Sequence, residues 1–138
     1  TPPVNLIRAL NVSLSQILAE GMNARFARHA RNARAFRAGL SAIGIKFLPA
    51  HEGIYANTLT AAYYPDGIDA SVLAKIADEG AVLAGGLYPS IKTRYFRIGH
   101  MGMSDASEIL ATLGAIERGL ARAGHVFQAG AAVAAAFG

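Results

Sequence analysis

Four short β-prone stretches lie between residues 44 and 98: "GIKFL" (44–48), "TLTAAYY" (58–64), "AVLAGG" (81–86) and "RYFRI" (94–98). None exceeds seven residues, and each is rich in branched or aromatic side chains. Pro65-Asp66-Gly67 closes the second stretch with a turn signal, and a glycine pair closes the third. Short strands joined by short connections favour antiparallel neighbours, so they can bury only one face of a small sheet. The material for covering that face stands on both sides of them in the chain.

Upstream, Leu6, Leu10, Leu14, Ile17 and Leu18 recur at helical spacing behind Pro2-Pro3. Gly21 interrupts the run, and Met22, Phe26, His29, Ala33, Phe36 and Leu40 then form the apolar stripe of a second helix. Asp69 reads as the N-cap of a helix running to about Glu79 with Gly80 as its stop. Ser104 or Asp105, with Glu108 behind, caps a last helix whose inner face carries Ile109, Leu113, Ile116 and Leu120 and which Gly124 ends. The predicted architecture is a two-layer α+β fold, a small and mainly antiparallel sheet with helices on one face. The Ala/Gly-rich tail, "QAGAAVAAAFG" (128–138), reads as low complexity and weakly ordered.

At 138 residues the chain fits one domain, and 53% hydrophobic against 16% charged residues argues for a packed core. Apolar runs stop well short of the roughly 20 residues that span a bilayer, so a soluble protein with no membrane partner is expected, and the lack of cysteine fits the cytoplasmic location expected for it. The absence of cysteine removes disulfides, thiolate metal sites and cysteine nucleophiles from this chain. Four histidines, His29, His51, His100 and His125, show no ligand spacing, so no metal site is predicted. The opening "TPPVNLIRAL" lacks an initiator Met and any signal-peptide core, which suggests a piece cut from something longer.

Two features compete for a functional reading. In "ARFARHARNARAFR", Arg25, Arg28, Arg31, Arg34 and Arg37 fall at every third residue. Clustered arginine is the electrostatic footprint of a nucleic-acid or polyanion-binding helix. A step of three drifts about 60° backwards per repeat, however, so the series winds around the helix and lines no single groove. A solvated surface with some arginines paired to carboxylates is the simpler account, and nucleic acid is not expected as a partner.

The second feature is Arg97 in "RYFRIGHMG" (94–102). Strand alternation puts Phe96 and Ile98 on one face and Tyr95 and Arg97 on the other. An arginine on a rigid strand beside glycines can be a carboxylate clamp, because its planar fork binds both oxygens at once. A structural ion pair is the equal alternative. Gly85-Gly86 belongs to no phosphate-loop pattern and reads as a turn packed close against another element. His100 reads as a packed or hydrogen-bonded structural residue, and no Ser/His/Asp set is legible.

Taken together, "YFRIGHMG" (95–102), "TPPVNLI" (1–7), "GAVLAGGLYPSI" (80–91) and "SEILATLGAIERGL" (107–120) resemble the C-terminal small domain of the alanine–glyoxylate and serine–pyruvate aminotransferase family, class V enzymes of fold type I. The resemblance covers about residues 1 to 122. It implies a linking helix over 1–20, a small domain over 21–124 and an added tail over 125–138. It also implies pyridoxal 5'-phosphate as cofactor, small amino-acid and keto-acid substrates such as alanine, serine, glyoxylate and pyruvate, and a homodimeric parent. Arg97 matches the arginine that holds the substrate carboxylate, and Thr1 matches a threonine that reaches the cofactor phosphate of the neighbouring subunit. The family's Schiff-base lysine and the groups around the cofactor ring precede the first residue here, and Lys46, Lys75 and Lys92 stand at no matching place. No catalytic residue is therefore assigned in this chain, which alone is expected to be inactive. Pyridoxamine–pyruvate aminotransferase, of the same family, resembles the pattern too. An interaction module that kept the fold and lost catalysis is a further alternative.

Overall fold

The computed structural model describes residues 2–138. Helix α1 (Val4–Glu20) and helix α2 (Met22–Ala42) are separated by Gly21 alone, whose φ of +81° is the left-handed conformation a side chain would resist. A single 3-10 turn (Glu52–Ile54) precedes strand β1 (Leu59–Tyr63), and helix α3 (Val72–Asp78) follows. Strands β2 (Ala84–Gly85) and β3 (Tyr95–Gly99) lead into helix α4 (Ala106–Arg122) and a short helix α5 (Ala131–Ala135).

The sheet has the order β1-β3-β2, antiparallel throughout, so the strand that carries Arg97 is the central one. Its register sets Ala62 against Phe96 and Thr60 against Ile98, and all four side chains are buried. Phe36 and Leu40 from α2, Val72 and Ile76 from α3, and Ile109, Leu113, Ile116 and Leu120 from α4 close over that face. This is the two-layer α+β arrangement that alternation and helical spacing predict. Asp105, of the two candidates, caps α4: its carboxylate accepts the Glu108 N–H at 3.0 Å.

Four details differ from the sequence reading. Residues 44–48 form no strand, only an isolated bridge between Phe47 and Ala62. The expected third strand shrinks to two residues, because the chain leaves the sheet on either side of Ala84 and Gly85. Asp69 does not cap α3 directly; its carboxylate accepts the Ser71 N–H at 2.8 Å and closes a turn, and the helix begins two residues later than expected.

The tail is the fourth and largest difference. Residues 131–135 are helical and pack on α2 and α4, with Ala132 fully buried and Ala136 nearly so. A carboxylate from α4 holds them: Glu117 accepts the N–H of Gly130 at 2.9 Å and of Ala132 at 2.6 Å. The compositional bias toward alanine and glycine reflects close packing, not disorder. Gly39 on α2 shows the same need, since a Cβ there would lie 2.7 Å from the Ala132 carbonyl oxygen.

Candidate functional site

Arg97 stands on the strand face opposite Phe96 and Ile98, which pack into the core. Its cross-strand neighbours are Ala61 on β1 and Ala84 on β2, both short, and Gly99 lies two residues along the same face. The guanidinium is therefore not walled in by its own sheet. The Nε–H donates to the Gly85 carbonyl at 2.8 Å, which fixes the orientation of the plane. Among the described residues, the ion pairs involve Glu20, Asp78 and Glu79, and none involves Arg97. The structural ion pair that the sequence left open is absent there. What remains is a half-buried guanidinium anchored at Nε, whose Nη groups make no hydrogen bond to protein among the described residues. That is the edge that binds a carboxylate with two parallel N–H···O bonds.

A cleft of about 490 Å³ runs past Arg97, lined also by Val82, Ala84, Gly99, Ser104 and Glu108. Among the described residues that line it, Arg97 is the one cation and Glu108 the one carboxylate. Gly86 is tightly constrained beside it: a Cβ there would lie 2.5 Å from the Lys92 carbonyl oxygen and 2.6 Å from the Tyr95 ring. The glycine pair thus serves backbone packing, as its sequence context predicts, and it lets Gly85 reach Arg97. Tyr95, predicted on the outer face with Arg97, is nonetheless buried, and its phenol oxygen accepts the N–H groups of Leu87 at 2.9 Å and Tyr88 at 3.1 Å.

His100 is a core residue. It is fully buried, its Nε2 lies 2.9 Å from the Thr60 hydroxyl, and its ring stacks on Phe36 at 5.2 Å. Burial foremost, with the nearby Arg37 charge adding, lowers its pKa to about 4. The imidazole is thus neutral near pH 7 and integrates the end of β3 with β1.

The arginine series divides by partner. Arg25 and Arg28 both pair with Glu20, at 2.9 and 2.6 Å. Arg37 donates to the Ala56 carbonyl at 3.1 Å and lies over the Tyr55 ring at 5.0 Å, while Arg31 and Arg34 are exposed. No continuous basic stripe results. Arg28 differs from a solvated surface charge in one respect: it also donates to the carbonyls of Gly102 at 2.9 Å and Ser104 at 3.0 Å. Asn32, fully buried, adds a bond to the Ser104 carbonyl at 2.8 Å. This tie between α2 and the loop after β3 escaped the sequence reading. The available signal was Asn32 itself, a polar residue on the helical stripe between His29 and Phe36.

The residues of this chain do not by themselves suit an aldehyde cofactor. None of its three lysines lines the cleft at Arg97. Lys46 is exposed on a separate cleft with Tyr63, Tyr64 and Arg94; Lys75 reaches the Arg122 carbonyl at 3.4 Å; Lys92 is exposed. Thr1, the residue matched to the cofactor phosphate, lies outside the described residues. Among the described residues, no cluster of His, Asp and Glu could hold a metal, and no helix is long and apolar enough to cross a membrane.

No protein-family model matches the chain. Individual proteins do. An uncharacterized aminotransferase of Methanocaldococcus jannaschii is 44% identical over 137 residues, a match covering 97% of this chain and 35% of that protein. An L-aspartate–glyoxylate aminotransferase of Paracoccus denitrificans is 37% identical over 99% of this chain and 35% of its own length. Among solved structures, a pyridoxamine–pyruvate aminotransferase of Mesorhizobium loti superposes with a TM-score of 0.91 at 34% identity, over 99% of this chain and 35% of that one. The chain spans about 35% of the length of the curated relatives it matches. Both the sequence identities and the superposition lead to one assignment: over that third of their length, the chain is a homologue of the aminotransferases of the alanine/serine–glyoxylate and pyridoxamine–pyruvate family.

Proposed function

We propose that this chain is the small, substrate-clamping domain of a longer pyridoxal-phosphate aminotransferase, and that Arg97 holds the α-carboxylate of a small amino acid or keto acid. The observation that carries this reading is the guanidinium of Arg97, oriented by Gly85 and, among the described residues, without a carboxylate partner. The relatives support the reaction class: their names join an amino acid or amine to glyoxylate or pyruvate, and both of those acceptors carry a carboxylate beside the reacting carbonyl. In this reading α1 links to the rest of the polypeptide, which also supplies the cofactor site, its lysine and the second subunit of a homodimer. Thr1 is assigned to the cofactor phosphate on the resemblance alone. The reading divides the chain into a linker over 1–20 and a domain over 21–124. It includes α5 as part of the packed body, because Glu117 binds it.

Pyridoxal phosphate supplies an electron sink when bound. The work left to this chain is positional. A bidentate pair fixes both distance and rotation of the substrate about its carboxylate, which places the α-carbon reproducibly. The half-buried setting strengthens the pair relative to one in bulk water.

The test uses the full-length polypeptide carrying Arg97→Lys, which keeps the charge and removes the fork. A charge-assisted hydrogen bond contributes about 1.5–3 kcal/mol, so kcat/KM for alanine or serine should fall roughly ten- to hundred-fold. The thermal midpoint should stay nearly constant, and an amine substrate lacking a carboxylate should lose little. Equal losses for the acid and the carboxylate-free amine overturn the assignment of Arg97.

A further inference from the structure

The guanidinium of Arg28 ties the end of α1 to the loop between β3 and α4. Its Nε and Nη2 groups donate to the two oxygens of Glu20, at 2.6 and 2.9 Å. Nη2 also donates to the Gly102 carbonyl at 2.9 Å, and Nη1 to the Ser104 carbonyl at 3.0 Å. Every nitrogen of the side chain is engaged, and the side chain is only 17% exposed. A solvated surface arginine shares its donors with water. This one divides them between two separate elements.

Each of those elements needs the tie. Helix α1 has no buried residue, and its Leu6, Leu10, Leu14 and Leu18 are between 48% and 74% exposed. Packing along its length therefore does little to fix its direction. That direction is set at the last turn, by the left-handed Gly21 and by the Glu20 carboxylate that Arg25 and Arg28 hold. At the other end, Gly99 and Ser104 line the cleft together with Arg97. The loop between them bends at Gly102, where φ is +77°, and the Ser104 hydroxyl donates to the Met101 carbonyl at 3.0 Å. Its carbonyls at 102 and 104 are taken by α2, through Arg28 and, at Ser104, Asn32 as well.

We propose that Arg28 is a positioning residue for the Arg97 clamp. Holding Glu20 on one side and the Gly102 and Ser104 carbonyls on the other, it sets the direction of α1 and the rim of the cleft from one point. In the proposed aminotransferase α1 continues into the remainder of the polypeptide, so this clasp aligns the clamp with the reacting groups supplied from there. The inference rests on the assignment of Arg97 to the substrate carboxylate. Arginine suits the task because its planar fork presents its donors in fixed directions. A lysine ammonium would keep a charge beside Glu20 but could not reproduce the two-sided geometry.

The experiment measures kcat/KM of the full-length polypeptide for alanine and for alaninol, which lacks the carboxylate. A misplacement of about 1 Å far from the chemistry can cost on the order of a hundredfold, so Arg28→Gln should lower the value for alanine at least about tenfold. Alaninol should lose much less, since no clamp holds it. Arg28→Lys should not restore the alanine rate. Glu20→Gln leaves Arg28 on the two carbonyls and loosens only α1, so it should lower the alanine rate selectively by a smaller factor. That variant keeps the proposal testable if Arg28→Gln folds poorly. In the double variant with Arg97→Lys, the loss should fall well short of the product of the single losses, because both changes act through one contact. Equal losses for alanine and alaninol, full activity in Arg28→Lys, or a multiplicative double variant each overturn the proposal. Arg97→Lys alone separates the two assignments: an alanine-selective loss there without one in Arg28→Gln removes the clasp and leaves the clamp standing, whereas its absence removes both.

Discussion

A Cβ built on Gly119 would lie 2.9 Å from both the Cα and the N of Ile76, and would clash with the Ile76 side chain as well. The obstacle is backbone, the buried flank of α3 against α4, and it cannot rotate away. Gly114, one and a half turns earlier on the same helix, meets only the tip of the Arg118 side chain, at 3.2 Å. Alanine gains about 1 kcal/mol over glycine in a helix interior, and overpacking costs about 1–3 kcal/mol. Gly119→Ala should therefore destabilise by up to about 2 kcal/mol net, because the steric term is larger. Gly114→Ala should stabilise by about 0.5–1 kcal/mol because the arginine simply moves aside. Denaturant midpoints of the two variants, compared with the parent, check both signs. The same scale shows what a sequence can and cannot say of Arg97. Alternation placed its side chain opposite Phe96 and Ile98, and that local rule held. Whether a carboxylate would meet it depended on where Glu20, Asp78 and Glu79 arrive in space, and all three pair with arginines elsewhere. The burial of Tyr95 was equally hidden, since it follows from the close turn at Gly86 and not from the strand's own periodicity.

At the scale of elements, α5 depends on α4 for its first turn. Its own N-cap is Gly130, with no side chain to offer, and the buried Glu117 carboxylate takes the Gly130 and Ala132 N–H groups instead. Hydrogen bonds to a charged group contribute about 1.5–3 kcal/mol, so Glu117→Ala should lower stability by about that amount. It should also expose the backbone between 124 and 130 to limited proteolysis, with Glu117→Gln intermediate because it keeps one acceptor oxygen. A tail as resistant as before, at an unchanged midpoint, would show that packing of Ala132 and Ala136 suffices. Elements with strong periodicity (α1, α2, α4) and strands framed by turn residues (β1, β3) were legible in the sequence, because each is specified by its own local pattern. Those that exist through a partner were not. The bridge at Phe47 needs β1 beside it, and α5 needs a carboxylate thirteen residues back in the chain. Composition misled at the tail for a physical reason: small residues mark close approach of helices as readily as they mark disorder.

For the molecule as a whole, the two groups shifted furthest in the acid range act in different pH ranges, beside the lesser lowering of Asp69 by its bond to Ser71 and of Glu79 by its bonds to Arg118 and Arg122. His100 has an ordinary value of 6.5 and a folded value of about 4, owing first to burial. Because the folded value lies below the unfolded one, the unfolded chain takes up the extra proton between these limits, and stability falls as pH drops through that window. The contribution is present above pH 6.5 and is worth at most about 3 kcal/mol. Glu20, lowered from 4.5 to about 2 chiefly by its bond to Arg28, follows the carboxylate pattern: its stabilisation is present above pH 4.5 and is lost on the way to about 2. The two losses fall on connected structure. Glu20 orients Arg28, Arg28 holds the carbonyls of Gly102 and Ser104, and His100 sits at the start of that same loop, facing Phe36 and Thr60 with the charge of Arg37 nearby. The thermal midpoint should therefore decline already between pH 6.5 and 4, before ordinary carboxylate titration is complete. His100→Gln retains a side-chain amide for the Thr60 hydroxyl and removes the titration, so it should flatten the decline between pH 6.5 and 4 while leaving the fall below pH 4.5 in place. Glu20→Gln should do the reverse, making the fall below pH 4.5 shallower while leaving the upper range unchanged, with Asp69 and Glu79 still contributing there. If His100→Gln follows the parent's slope from pH 6.5 to 4, the early acid loss comes from another group and the buried imidazole is only a packing residue.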